Sequence, residues 1–160
     1  MKPSCRWVTC GLLRTGSEGV LVRLSVSTVP AAQTKMILIA GPYRSGTNDD
    51  PELLAQNVRF MATFALPIFR AGHIPIVGEW LALPLVQLAG SQRVGDGPFN
   101  EIFHPIATRL LERCDGILRV GGPSAGADEM VRVGRQLGLS VYAAVDEIPG
   151  CSEGNSASSA

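Results

Sequence analysis

The sequence is short of charge, of aromatic rings and of long apolar runs. Its 14 basic side chains are matched by 14 acidic ones, so the formal net charge is zero. A nucleic-acid surface or an anionic membrane surface draws its affinity from a basic excess, which this chain lacks. No apolar stretch reaches the ~20 residues that span a bilayer. Cys5, Cys10, Cys114 and Cys151 contain no Cys-x-x-Cys pair. That spacing favours neither a zinc site nor dithiol chemistry and fits reduced thiols in a cytoplasmic protein. A Walker loop and a Gly-x-Gly-x-x-Gly fingerprint are also missing, which removes specific support for ATP or NAD. No cofactor and no metal are expected.

What is present reads as one globular domain, since 46% of the 160 residues are hydrophobic and the length suits a single core. Residues 1–35 stand apart, with scattered arginines, one acidic residue (Glu18) and no sustained period. They lack a secretory core and cleavage site. Their acid-poor, arginine-containing character has a faint transit-peptide flavour, and VLVRLSV (20–26) has the pattern of an extra strand. The preferred reading makes them a disordered extension or an over-long gene start, with Met36 as the natural beginning. The domain is expected over 36–150, and the small polar residues of 151–160 predict a disordered tail.

Strands and helices alternate from Met36 onward. MILIA (36–40), HIPIV (73–77), DGILRV (115–120) and LSVYAAV (139–145) are short apolar runs of the kind buried in parallel sheets. Leu54, Val58, Met61, Ala65 and Ile68 predict an amphipathic helix over 51–70, opened by Asp50-Pro51 and kinked in its last turn by Pro67. A short helix interrupted at Pro84 follows the second strand, then a polar loop (SQRVGDGPFN, 91–100). Further helices are expected over 100–113 and 125–137. Such alternation predicts an α/β three-layer sandwich, flavodoxin-like or Rossmann-like, around a parallel sheet of four or five strands. Ligands in such folds bind outside the carboxyl ends of the strands. GPYRSG, GEW and GGPSAG all fall at that edge.

Each of the three stretches has a chemical reading beside a structural one. In the first, Gly41 and Pro42 make a turn, Tyr43 can stack on a flat ring, and Arg44 can pair with a phosphate or carboxylate. In the second, Glu79 beside Trp80 can work as an acid with a raised pKa or bind a ribose hydroxyl. In the third, Gly122, Ser124 and Gly126 open a helix whose free amides favour an anion. The alternatives are a solvated turn arginine, a helix-start glutamate and an ordinary capped helix. His104 lacks an evident partner in sequence, His73 reads as structural, and Cys114 reads as a small buried residue.

The segment from Met36 to about Val145 resembles the nucleoside 2-deoxyribosyltransferase-like family. The likeness rests on ILIAGPYR, Asn57, FRAGHIPIV, LLERCDGILRV and SAGADEMVRVGRQLGLSVY, in that order. It implies a flavodoxin-like fold and cleavage of the N-glycosidic bond of nucleosides or their monophosphates by a glutamate near the start of the helix after the third strand. It also implies that Gly41 to Arg44 border the base or sugar, and that Ser124 and Gly126 hold the sugar's 5′ side. In the family pattern the glutamate follows Ser-x-Gly-Ala after two further residues; here that slot is Met130. The position eight residues before Asp115, where the family carries a second acid, is Ala107. The remaining carboxylates at the strand edge are Glu79, Asp128 and Glu129, which become the expected catalysts.

Two functions are carried forward. One is glycosidic cleavage or deoxyribosyl transfer by displaced carboxylates, with a lysine-decarboxylase-like phosphoribohydrolase as a variant. The other is a nucleotide- or nucleoside-binding protein without chemistry. The expected partner is a small nucleoside or nucleotide, with no nucleic acid and no membrane. The resemblance further implies a homo-oligomer, for which PLVQLAG and FHPIA offer apolar surface.

Overall fold

The computed structural model describes residues 33–151. Four strands form the sheet: β1 Met36–Ala40, β2 Ile74–Val77, β3 Gly116–Arg119 and β4 Ser140–Tyr142. All pair in parallel, in the order β2-β1-β3-β4. Side chains alternate across a strand, so the apolar run of β1 serves two cores. Ile37 and Ile39 join Met61, Ile68, Val77, Leu118 and Ile148 on one face. Leu38 and Ala40 join Leu111, Cys114, Ile117, Ala127 and Val131 on the other. Burial of each large aliphatic side chain contributes about 1.5–3 kcal/mol. Two buried faces require helices on both sides, and the result is a flavodoxin-like α/β sandwich. The chain steps from β1 outward to β2, then returns past β1 to β3. The order therefore reverses between β1 and β3, and the cleft opens at their carboxyl ends.

The helices are α1 Pro51–Ala62, α2 Ala65–Arg70, α3 Gly78–Leu88, α4 Gly97–Leu111 and α5 Ala125–Gln136. The single helix expected over 51–70 is two. Pro67 lacks an amide donor and its ring crowds the carbonyl one turn back, at Thr63. The break accordingly falls at Thr63–Phe64 rather than in the last turn. Pro84 has the opposite outcome, for α3 runs through it. Pro84 and Trp80 both face outward, so water can satisfy the Trp80 carbonyl that loses its donor. Helix α4 begins before residue 100 because the Asp96 carboxylate accepts from the Phe99 amide at 3.0 Å and caps it. Strand β4 is shorter than LSVYAAV. The Ala143 amide donates to Glu147 Oε2 at 2.6 Å, and Val145–Glu147 forms a 3₁₀ turn that seats Ile148 in the core.

His73 is buried at the foot of β2. Its Nδ1 accepts from the Lys35 amide at 3.2 Å, and its Nε2 donates to the Pro149 carbonyl at 2.7 Å. Among the described residues no helix is long and apolar enough to cross a membrane. The strand expected at 20–26, residues 1–32 as a whole and the tail beyond Cys151 lie outside the described residues.

Candidate functional site

The segments that follow β1, β2 and β3 meet beside α4 around a cavity of about 230 Å³. Its titratable lining groups among the described residues are Tyr43, Arg44, Glu79 and His104. The volume lies just under the ~300 Å³ at which pockets for drug-sized ligands begin. A second, shallower space of about 820 Å³ shares Tyr43, Arg44 and Phe99 with it, leaving room for a larger ligand to extend.

The loop after β1 is built to hold Tyr43 and Arg44. Asn57 Nδ2 donates to the Tyr43 carbonyl at 2.8 Å, and buried Thr47 donates to the Arg44 carbonyl at 2.7 Å. Asn48 and Asp49 both take left-handed backbone angles, φ 49° and 62°. That turn brings Asp49 back onto Arg44, which grips it with Nε and, at 2.6 Å, with Nη2. The ion pair lowers the Asp49 pKa. Gly41 allows close packing, since a Cβ there would stand 3.0 Å from Met61 Sδ. Pro42 packs on Gly121, where φ is 76° and an added Cβ would stand 2.8 Å from the proline Cδ. Pro42 and Asn57 thus register the loops and do not line the cavity.

Helix α3 starts immediately after β2, with Val77 as its N-cap, so Glu79 sits in its first turn. Burial pushes the Glu79 carboxyl up to about 7, and its own backbone amide, which favours the charged form, offsets this only in part. Tyr43 titrates above its ordinary value, first through burial and then through the charges of Glu79 and Asp49. Trp80 points outward, 41% exposed, and is not the wall that desolvates Glu79.

After β3, Ser124 caps α5 by accepting from the Ala127 amide at 3.4 Å. Arg119 secures the turn. It donates to the carbonyls of Val120 and Gly122 and binds Asp128 at 2.9 Å. Asp128 is therefore committed to Arg119, and Glu129 to Arg132 at 2.6 and 2.7 Å. Both are exposed and neither lines the cavity. Of the three carboxylates expected to share a site, Glu79 alone lines this cavity. Successive helical residues differ by about 100°, so the turn that aims Met130 inward sends Glu129 out. Gly41, Tyr43, Arg44, Ser124 and Gly126 line the cavity; Pro42, Asn57, Trp80 and Gly122 do not.

Sequence reading missed the wall supplied by α4. Phe99 and Phe103 stack at 4.6 Å between centroids, and Tyr43 stacks on Phe103 at 5.0 Å. Asn100, His104 and Ala107 come from the same helix. The available signal was the Asp96 cap followed by phenylalanines four residues apart, which treating 91–100 as a loop concealed. The site thus offers one protonatable carboxyl, a stacked aromatic wall and the amino end of α5, a set suited to a flat ring bearing a polar or anionic substituent. Among the described residues no three His, Cys, Asp or Glu side chains gather to hold a metal. No family model matches the chain, and no curated protein matches it.

Proposed function

We propose that the cavity binds a nucleoside or nucleoside monophosphate and cleaves its N-glycosidic bond, with Glu79 as the acid. The observation that carries this reading is Glu79 itself, the one carboxylate among the described residues lining the cavity, poised to hold a proton near neutrality. A departing base needs a proton as its bond to the sugar breaks, and a carboxyl with a pKa near the working pH supplies it best. The Tyr43–Phe103–Phe99 stack supports a flat base, and the start of α5 at Ser124 and Gly126 supports a phosphate or hydroxyl. Water as acceptor gives hydrolysis, and a second base gives deoxyribosyl transfer.

Met130 and Ala107, both on the cavity wall, favour a second reading, a binding protein of the same fold without catalysis. Incubation with nucleosides and their 5′-monophosphates, followed by chromatography for free base, separates the two. Release of a base that Glu79→Gln lowers by about 100-fold or more, with ligand affinity kept, is the expected result. Saturable binding without release would leave the second reading. A cytoplasmic setting, where Cys114 and Cys151 stay reduced, belongs to the same proposal. A homo-oligomer does too, supported by Leu81, Leu85 and Leu88 standing in water along α3.

A further inference from the structure

We infer that base release here proceeds by direct attack of water, with His104 on α4 accepting the water proton and Glu79 on α3 donating to the leaving base, so that the anomeric carbon is inverted. The inference rests on the N-glycosidic reading above and specifies its chemistry. Cleavage through a covalent intermediate needs a carboxylate nucleophile as well as a proton donor. The cavity has one carboxylate among its described lining, and the neighbouring wall positions are Met130 and Ala107. Glu79 cannot attack the sugar and protonate the base in the same step.

Three other titratable groups line the cavity among the described residues. Tyr43 stays a phenol, because burial opposes its ionisation. Arg44 is a cation already held by Asp49. His104 is left. Its ring stands edge-on to Phe103, with centroids 5.9 Å apart and planes at 87°, so the aromatic wall that would hold the base also orients the imidazole. Among the described residues its side chain has no hydrogen-bond partner, and it is exposed on one side, open to water. Packing of α3 along α4 brings Glu79 and His104 to the same small space from two helices.

The step balances. An oxygen–carbon bond forms between water and the anomeric carbon as the carbon–nitrogen bond breaks. The water proton passes to His104, and the Glu79 proton passes to the leaving nitrogen. Free base and inverted sugar depart, and exposed His104 returns its proton to solvent while Glu79 regains one.

The test uses the full chain with the nucleoside or monophosphate from which base is released, in aqueous methanol, with the methyl glycoside read by proton NMR. Methanol stands in for water and gives a product that does not mutarotate. A β-linked substrate is expected to give the α-methyl glycoside, with no exchange of a labelled free base into substrate. His104→Gln is expected to lower kcat by about 100-fold with KM little changed, and Glu79→Gln to remove the alkaline limb of the pH profile. The stereochemical result needs no variant, so it stands even if a substitution impairs folding. Retention, base exchange or a mass adduct on Glu79, with base release intact, would overturn water attack and leave the glycosidic reading standing. Absence of base release from every nucleoside and monophosphate would remove both.

Discussion

Among single residues, Glu79 places a cost on the fold that depends on pH. The folded protein holds its proton more tightly than the unfolded chain does. Its contribution to stability is therefore complete below the ordinary value of 4.5 and is lost as pH rises through about 7. The swing is on the order of 2–3 kcal/mol. Urea denaturation at pH 5 and pH 8 should show the wild type losing about this much more stability than Glu79→Gln across that interval. Glu129→Gln should behave differently. Its pKa is lowered by Arg132 at the surface, so the substitution should leave base release unchanged. That contrast separates the carboxylate in the cavity from one held at the surface of α5. Glu79 was legible as an acid at a strand end, but the cause of its burial was not, because the expected partner, Trp80, faces outward. Asp128 and Glu129 stand away from the cavity, held by Arg119 and Arg132, and the sequence does not reveal which arginine claims each acid.

Elements were legible wherever a run had a clear period, and misread wherever proline or a cap decided the boundary. Three strands match their apolar runs to within a residue or so at each end. The polar string 91–100 hid the start of α4, whose first turn depends on Asp96 accepting from the amides of Gln92, Arg93 and Phe99. Those bonds hold the Asp96 carboxyl down to about 2, so its stabilising effect is present above the ordinary carboxylate range and fades as pH falls through that value. Asp96→Ala should lower the melting temperature and weaken ligand affinity together, since Phe99 and Phe103 ride on the turn it caps. Helix α5 meets the sheet at Gly134, where an added Cβ would overlap Ile117 Cδ1. Ile117 is fully buried and has little space to yield. Gly134→Ala should therefore destabilise by about 1–3 kcal/mol, read from the denaturant midpoint, despite alanine's better helix propensity.

Viewed whole, the molecule was half visible in its sequence. Alternation of strand and helix revealed the layers and the edge at which loops meet, because short buried runs need parallel partners. Strand order was not visible, since β1 carries the same apolar pattern whichever neighbour it takes. The cavity was visible on three sides only: the fourth wall comes from α4, a crossover helix that carries no loop motif. Helix α3 is apolar nearly all round, and Leu85 and Leu88 are 43% and 83% exposed. Leu85→Glu with Leu88→Glu should leave the melting temperature close to wild type while reducing concentration-dependent association in sedimentation velocity.

One imidazole ring and two hydrogen bonds are all that separate the backbone at Lys35 from that at Pro149. The two ends of the domain are thus neighbours, and its chain nearly closes into a circle. A short peptide bridge between them would carry little strain, and the cut could be moved to the exposed turn between Gly90 and Ser91. Such a circular permutant would begin with the cap of α4 and end with α3, keeping every strand pair while reversing which half of the site is synthesised first.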